Sequence, residues 1–165
     1  LKKLYPDGRA MPFLDFGPLY AKRRTFPPWD GVYNLCFDPE GNILFTALPL
    51  VAVVKATPEG KILWEASVQP QGGADAVPLK APRDLAVDSR GNVWVVDAEL
   101  DRLLCLSTEG KLLLTYGGHA EVDDAEGKGF DGPTGVAVAR VGDREFVYVG
   151  DAGNRRLVKF ALTYR

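Results

Sequence analysis

The chain has 165 residues, of which 46% are hydrophobic and 25% are charged, a composition typical of one globular domain with a sizeable core. A net charge of −2 gives no broad attraction to phosphate backbones, so nucleic-acid binding is not expected. The longest apolar run, residues 43–54, is interrupted by Thr46 and Pro49 and is shorter than the ~20 residues of a spanning helix. No membrane span is predicted.

The first segment has the pattern of the end of a repeat unit. Asp7-Gly8-Arg9 has the same form as Glu59-Gly60-Lys61 and Glu109-Gly110-Lys111, which recur later in the chain. We therefore expect residues 4–16 to hold the outer strand of a preceding unit.

Most of the remaining chain is an internal repeat with a period of about 50 residues. Positions Asp38, Gly41, Asn42, Gly60 and Lys61 recur 50 residues later as Asp88, Gly91, Asn92, Gly110 and Lys111. A third copy starts near residue 132 and has a longer first hairpin. The predicted repeats cover residues 31–66, 82–116 and 133–165, so the whole of 1–165 is read as one repeat array.

Each repeat has the pattern of four short strands. In the second, strands are predicted at residues 84–87, 92–96, 102–106 and 112–116, separated by turns rich in Asp and Gly. There is no helical periodicity between them, so the predicted fold class is all-β. Four antiparallel strands in a unit of this length predict the blade of a β-propeller.

The third repeat resembles a known family. FDGPTGVAV at 130–138 and VYVGDAGNRRLVKF at 147–160 are similar to the P-x-G-(V/I)-A-V and (V/A)-D-x-x-N-x-R-(I/V) core of the NHL-repeat β-propellers. The second repeat keeps part of this pattern, with Leu100 in place of Asn154, and the first keeps only the turns and the apolar pattern. The resemblance implies about three four-stranded antiparallel blades, belonging to a propeller of six.

Two acid–base pairs recur at the same spacing. Asp97 and Arg102 are five residues apart, as are Asp151 and Arg156, whereas the first repeat has alanine at both equivalent positions. Both charges are present together or absent together, as expected if an unpaired charge is costly in a partly buried place. We therefore interpret the pairs as structural, and we predict no catalytic residue in this chain.

Two candidate binding elements lie outside this repeated pattern. Leu48-Pro49-Leu50 replaces the charged turn of the later repeats, and an apolar loop on a polar face could contact a partner. His119, the only histidine, lies in a Gly-rich linker with several acidic residues. Together these residues are the predicted binding site; the alternative for the loop is that it packs under the Pro27-Pro28-Trp29 linker.

A metal site is the alternative interpretation. Asn34 and Asp84 begin equivalent inner strands, where the family pattern has glycine, and they resemble the channel-lining ligands of lactonase-type and amidating-lyase propellers. Oxygen ligands of this kind favour calcium. The primary expectation is that no cofactor is bound, and calcium at Asn34 and Asp84 belongs to the alternative.

The resemblance implies a loop-bearing face that most often binds another protein. A non-catalytic protein-binding scaffold is therefore the predicted function. The alternatives are a lactonase- or lyase-like propeller enzyme with calcium or zinc in its channel, and RNA or glycan binding. Three blades cannot close a ring. The rest of the propeller is expected from a longer chain, or otherwise from a second copy. The compartment stays open between the cytoplasm and the periplasm or extracellular space.

Overall fold

The computed structural model describes residues 2–4, 6, 10–12, 31–47, 51–68, 76–119 and 129–164. Within these ranges the secondary structure consists of thirteen β-strands. None of the described segments forms a helix long and apolar enough to cross a membrane. The strands are β1 (Lys2–Leu4), β2 (Ala10–Pro12), β3 (Val32–Phe37), β4 (Ile43–Ala47), β5 (Ala52–Ala56), β6 (Ile62–Ser67), β7 (Pro82–Val87), β8 (Val93–Asp97), β9 (Arg102–Leu106), β10 (Leu112–Gly117), β11 (Pro133–Val141), β12 (Arg144–Asp151) and β13 (Arg156–Leu162).

The strands form three consecutive antiparallel sheets, in which neighbours in the chain are neighbours in the sheet. We call them blade 1 (β3–β6), blade 2 (β7–β10) and blade 3 (β11–β13). Blades 1 and 2 have four strands, and blade 3 has three among the described residues. This arrangement confirms the predicted all-β fold class. Within the segment predicted as an outer strand, β2 pairs with β1 in a separate two-stranded sheet.

The first hairpin turn of each four-stranded blade is closed by an aspartate and a glycine. In blade 2, the Asp88 amide donates to the Asn92 carbonyl at 3.0 Å, and the Gly91 amide donates to the Asp88 carbonyl at 2.9 Å. Gly91 has a φ of 81°, a conformation that disfavours any side chain. The corresponding glycine of blade 1, Gly41, has the same φ of 81°. The repeated Asp and Gly therefore set the same turn in both blades.

The core lies between the blades, because each sheet buries one face against the next. One cluster joins blades 1 and 2, and a second joins blades 2 and 3. A third covers the other face of blade 1. The largest fully buried side chains of these clusters are Phe45, Phe130, Leu44, Leu103, Leu104 and Leu106.

The two ends of the array expose positions that are buried elsewhere. Leu35 on β3 is 38% exposed and Phe37 on the same side of that strand is 61% exposed, whereas the in-register Leu85 of blade 2 is 3% exposed. At the other end, Leu157 on β13 is 79% exposed, whereas its blade 2 equivalent, Leu103, is 2% exposed. Burial at these positions therefore depends on an adjacent blade.

Candidate functional site

The connections between strands fall at two opposite ends of the sheets, because the strands are antiparallel. The hairpin turns after the first and third strands lie at one end. The connections between second and third strands, and the linkers that enter β7 and β11, lie at the other end, which we call the loop face. Backbone hydrogen bonds join these elements, from Ala98 N to Ala81 O at 3.0 Å and from Gly153 N to Asp131 O at 2.8 Å.

The structure brings together the first predicted acid–base pair on this face. Asp97 is fully buried, and an Arg102 Nη2 atom lies 3.5 Å from its carboxylate. The Asp97 carboxylate also accepts hydrogen bonds from the Lys80 amide at 2.9 Å and the Ala81 amide at 2.8 Å. Arg102 donates to the carbonyl of Pro78. The pair thus ties the linker that enters blade 2 to the end of its sheet.

The second predicted pair makes the same connection in blade 3. Asp151 is fully buried, and Arg156 Nε donates to its carboxylate at 2.7 Å. Asp151 also accepts from the Asp131 amide at 2.7 Å, and Arg156 Nη2 donates to the Gly129 carbonyl at 2.8 Å. Asn154 Nδ2 adds a hydrogen bond of 2.9 Å to Asp151. Both carboxylates are therefore occupied by donors from their own blade and linker.

The two predicted metal ligands, Asn34 and Asp84, also meet. The Asn34 side-chain amide donates to the Asp84 carboxylate. That carboxylate accepts further hydrogen bonds from the Leu85 amide at 2.7 Å and the Val136 amide at 2.8 Å. Gly135 occupies the equivalent position in the third repeat, and a Cβ added to it would lie 3.6 Å from the Asp84 carboxylate. Asp84 therefore links the inner strands of three blades through N–H donors.

His119 lies just after β10 and contacts residues that the sequence did not single out. Its Nδ1 atom is 2.9 Å from the Asp101 carboxylate, and its side chain is 62% exposed. One ligand atom each from Asp101, His119 and Asp131 lie within 4.8 Å of one another, so this group could hold a metal ion. The acidic residues expected near His119, at positions 121–126, lie outside the described residues.

The sequence gives little indication that Asp101 and Asp131 belong to a site. The turn position of Asp101 carries Val51 in blade 1 and Arg155 in blade 3, so the aspartate departs from the repeat. Such a departure indicates a local role rather than a shared structural one. The predicted apolar binding loop, Leu48 to Leu50, lies outside the described residues.

The two cysteines do not form a reactive site. Cys36 and Cys105 are both free. Burial, with smaller contributions from Asp84 and Asp38, raises the pKa of Cys36 to about 12. Burial, with a smaller contribution from Asp88, raises the pKa of Cys105 to about 12. Both thiols are therefore protonated near neutral pH and are poor nucleophiles.

Comparison with known proteins identifies the fold. No protein-family model matches the chain, and no curated protein matches it either. Among solved structures, an auxiliary nutrient binding protein from Bacteroides thetaiotaomicron is similar over 96% of this chain and 42% of its own, with a TM-score of 0.60 and 16% identity.

Two lyases are similar over almost all of this chain. A virginiamycin B lyase from Staphylococcus aureus matches 99% of this chain and 48% of its own, with a TM-score of 0.55 and 16% identity. A streptogramin B lyase matches 98% and 47%, with a TM-score of 0.56 and 20% identity. The fold is that of a β-propeller. At these identities the likeness extends to the fold alone, and the chain spans about half the length of each neighbour.

Proposed function

We propose that this chain is part of an NHL-type propeller that acts as a non-catalytic scaffold and binds a protein partner through its loop face. The proposal depends on one observation: the turn before the third strand has the same backbone conformation in all three blades but carries a different side chain in each. Val51, Asp101 and Arg155 each immediately precede the third strand of their blade, with φ values of 48°, 49° and 52°. One backbone geometry thus presents an apolar, an acidic and a basic side chain. Repeat proteins use such arrays as extended binding surfaces.

The repeated charged groups support binding rather than catalysis. Asp97 and Asp151 are fully buried, and their carboxylates accept hydrogen bonds from backbone amides and from arginines. A catalytic acid or base must reach a substrate proton, and these carboxylates are not accessible to one. The exposed groups of the loop face, such as Arg155, remain available to a partner.

The remaining blades complete the ring in this proposal. The exposed Leu35 and Phe37 at one end and Leu157 at the other occupy positions that an adjacent blade would cover. The chain spans about half of each solved neighbour, so a similar number of blades is needed from elsewhere. We propose that a longer chain supplies them, in preference to a second copy.

The mass of the isolated 165-residue chain in solution tests this ring proposal. We expect weak or polydisperse association, because no complementary blades are present. A discrete dimer, stable to dilution and disrupted by Leu157→Asp, would instead assign the ring to two copies. A soluble monomer with the urea sensitivity of a complete domain would exclude both versions.

Site-specific photo-crosslinking tests the binding face. A crosslinking amino acid at Arg155 on the loop face is compared with one at Glu59, which is exposed in a turn at the opposite end. We expect one protein adduct from the loop-face probe in an extract of the source cells. The adduct protein, once purified, should bind the parent chain, and Arg155→Glu should weaken that affinity while Glu59→Arg leaves it unchanged.

Three results would contradict the proposed function. The first is equal crosslinking from both ends, and the second is an RNA adduct in place of a protein. The third is an affinity that Arg155→Glu does not change. The melting temperature of each variant is measured in parallel, because Arg155 is exposed and its replacement should leave the fold intact.

A further inference from the structure

Three side chains from separate segments converge at the junction between blades 2 and 3. Asp101 lies in the turn that precedes β9, His119 follows β10, and Asp131 precedes β11. One ligand atom from each lies within 4.8 Å of the other two. Two carboxylates beside one imidazole concentrate negative charge and nitrogen and oxygen donors in one place.

The side chain of Asp101 is oriented by a hydrogen bond to one of its two carboxylate oxygens, which leaves the other oxygen facing His119. Its Oδ1 atom accepts a hydrogen bond of 2.7 Å from the Gly132 amide, on the linker that enters blade 3. The other oxygen, Oδ2, is thereby directed to His119 Nδ1 at 2.9 Å. The side chain of Asp101 is only 17% exposed, whereas that of His119 is 62% exposed. The group is thus anchored on one side and open to solvent on the other.

Asp131 is held through its backbone, which leaves its carboxylate available. Its amide donates to Asp151 at 2.7 Å, and its carbonyl accepts from Gly153 at 2.8 Å. The carboxylate lies directly over Gly153, where an added Cβ would be 2.1 Å from Oδ2. Residue 153 therefore has to be glycine for the carboxylate to occupy this place.

The group is confined to one junction of the array. The backbone of the Asp101 turn recurs in blades 1 and 3, with φ values of 48° and 52°, but carries Val51 and Arg155 there. His119 is the only histidine of the chain. The fold therefore does not use these side chains in its repeated connections, whereas the pairs Asp97–Arg102 and Asp151–Arg156 recur in two blades.

We propose that Asp101, His119 and Asp131 form a zinc site with three protein ligands and one open position. An imidazole nitrogen with two carboxylate oxygens suits zinc, whereas calcium takes six to eight oxygen ligands. Three protein ligands leave the fourth tetrahedral position free. The site joins the outer strand of blade 2 to the linker of blade 3, and it is independent of whether a protein partner binds the loop face.

The site is tested by titrating the tag-free chain with zinc. Calorimetry measures the binding, and proton NMR monitors the single imidazole. We expect one zinc ion per chain and a shift of the His119 ring signals at that stoichiometry. His119→Gln and Asp131→Asn should each weaken binding about tenfold or more. The matched control is Asp143→Asn, an exposed aspartate in the β11–β12 turn at the opposite end, which should bind zinc as the parent does.

Two variants separate a lost ligand from a lost fold. Asp101→Ala also removes the hydrogen bond to Gly132, so its melting temperature is measured with its affinity. His119→Gln replaces an exposed side chain and should melt as the parent does. Zinc that binds His119→Gln as tightly as the parent, or leaves the imidazole signals unmoved, would overturn the proposal. Calcium that shifts the same signals at lower concentration than zinc would overturn the assignment of the metal.

Discussion

Blades 1 and 2 have the same strand register but stabilise the loop-face end in different ways. Ala47 pairs with Ala52 in blade 1 at the positions where Asp97 pairs with Arg102 in blade 2. Both alanines are fully buried, so blade 1 closes this end by apolar packing. The register of the sheet therefore does not require the charged pair, which instead fixes the linker of its blade.

At the opposite end of the sheet, blade 1 has the charged pair and blade 2 does not. Lys55 of blade 1 is 7% exposed, and its Nζ atom lies 2.7 Å from the Asp38 carboxylate. Blade 2 has Cys105 in place of the lysine, and Asp88 accepts a hydrogen bond of 3.1 Å from Trp94 Nε1. The turn aspartate is thus paired with a buried cation in blade 1 and with neutral donors in blade 2. The same turn depends on very different electrostatics in the two blades.

The largest expected effect comes from removing the charge of Asp38. Asp38→Asn leaves Lys55 buried without its counter-ion, which costs about 3–5 kcal/mol in unfolding free energy. Asp88→Asn, the matched change in blade 2, leaves no cation unpaired and should cost about 1–2 kcal/mol. Urea denaturation of the two variants measures the difference. Equal losses would show that Lys55 does not depend on Asp38.

Two controls isolate the ion pair. Combining Asp38→Asn with Lys55→Met should recover most of the lost stability, because an apolar replacement of a buried pair is often neutral. Burial opposes ionisation of Asp38, but hydrogen bonds from Lys55 and Asn42 outweigh it and lower the pKa below the usual 3.8. This stabilisation is present above pH 3.8 and is lost as the pH falls through the lowered pKa. The difference in unfolding free energy between the parent and Asp38→Asn should therefore become smaller as the pH falls below 3.8.

An intermediate effect is expected from the paired charges of the loop face. Asp97→Ala should cost about 1–3 kcal/mol and more than Arg102→Ala, because it also leaves the two linker amides unsatisfied. The double mutant should cost less than the sum of the single changes. The coupling energy should be larger for Asp151 and Arg156 than for Asp97 and Arg102, because the nitrogen–oxygen distance is 2.7 Å rather than 3.5 Å. A single mutant that melts like the parent but loses partner binding would contradict the structural role.

The repeat made the architecture predictable from the sequence. Residues 50 positions apart have equivalent neighbours, so the turns at Gly41 and Gly91 and the strand order could be inferred from the pattern alone. The pattern also placed Asn34 and Asp84 at equivalent positions of adjacent inner strands, and the structure joins their side chains by a hydrogen bond. Periodicity determines which residues are equivalent, and among equivalent strands the inner ones of adjacent blades contact each other, β3 with β7 and β7 with β11.

The same logic could not find contacts that depart from the repeat. Lys55 lies in a strand whose other residues are buried, and its pairing with Asp38 depends on a long side chain reaching across to the first turn. Asp101 and Asp131 are 30 residues apart, with a linker between them whose path the sequence pattern does not specify. Asp101 lies near His119 because β9 pairs with β10, with Arg102 opposite Gly117. Asp131 joins them because blade 3 packs on blade 2.

The smallest expected effect compares the two first-turn glycines. Gly41 and Gly91 both have a φ of 81°, so replacement by alanine strains the backbone equally in the two blades, by about 1 kcal/mol. A Cβ at Gly41 meets nothing within 4 Å, whereas one at Gly91 would lie 2.9 Å from Thr108 Cγ2. The Thr108 hydroxyl donates to Glu109 at 2.6 Å, which restrains its rotation.

Gly91→Ala should therefore destabilise the chain by about 0.5–1 kcal/mol more than Gly41→Ala, measured by urea denaturation of both variants. Thr108→Ser removes the obstructing methyl group and keeps the hydroxyl. In that background the two glycine replacements should cost the same. If the difference persists without the methyl group, the extra cost arises in the backbone of blade 2, and the two turns are less alike than their φ values indicate.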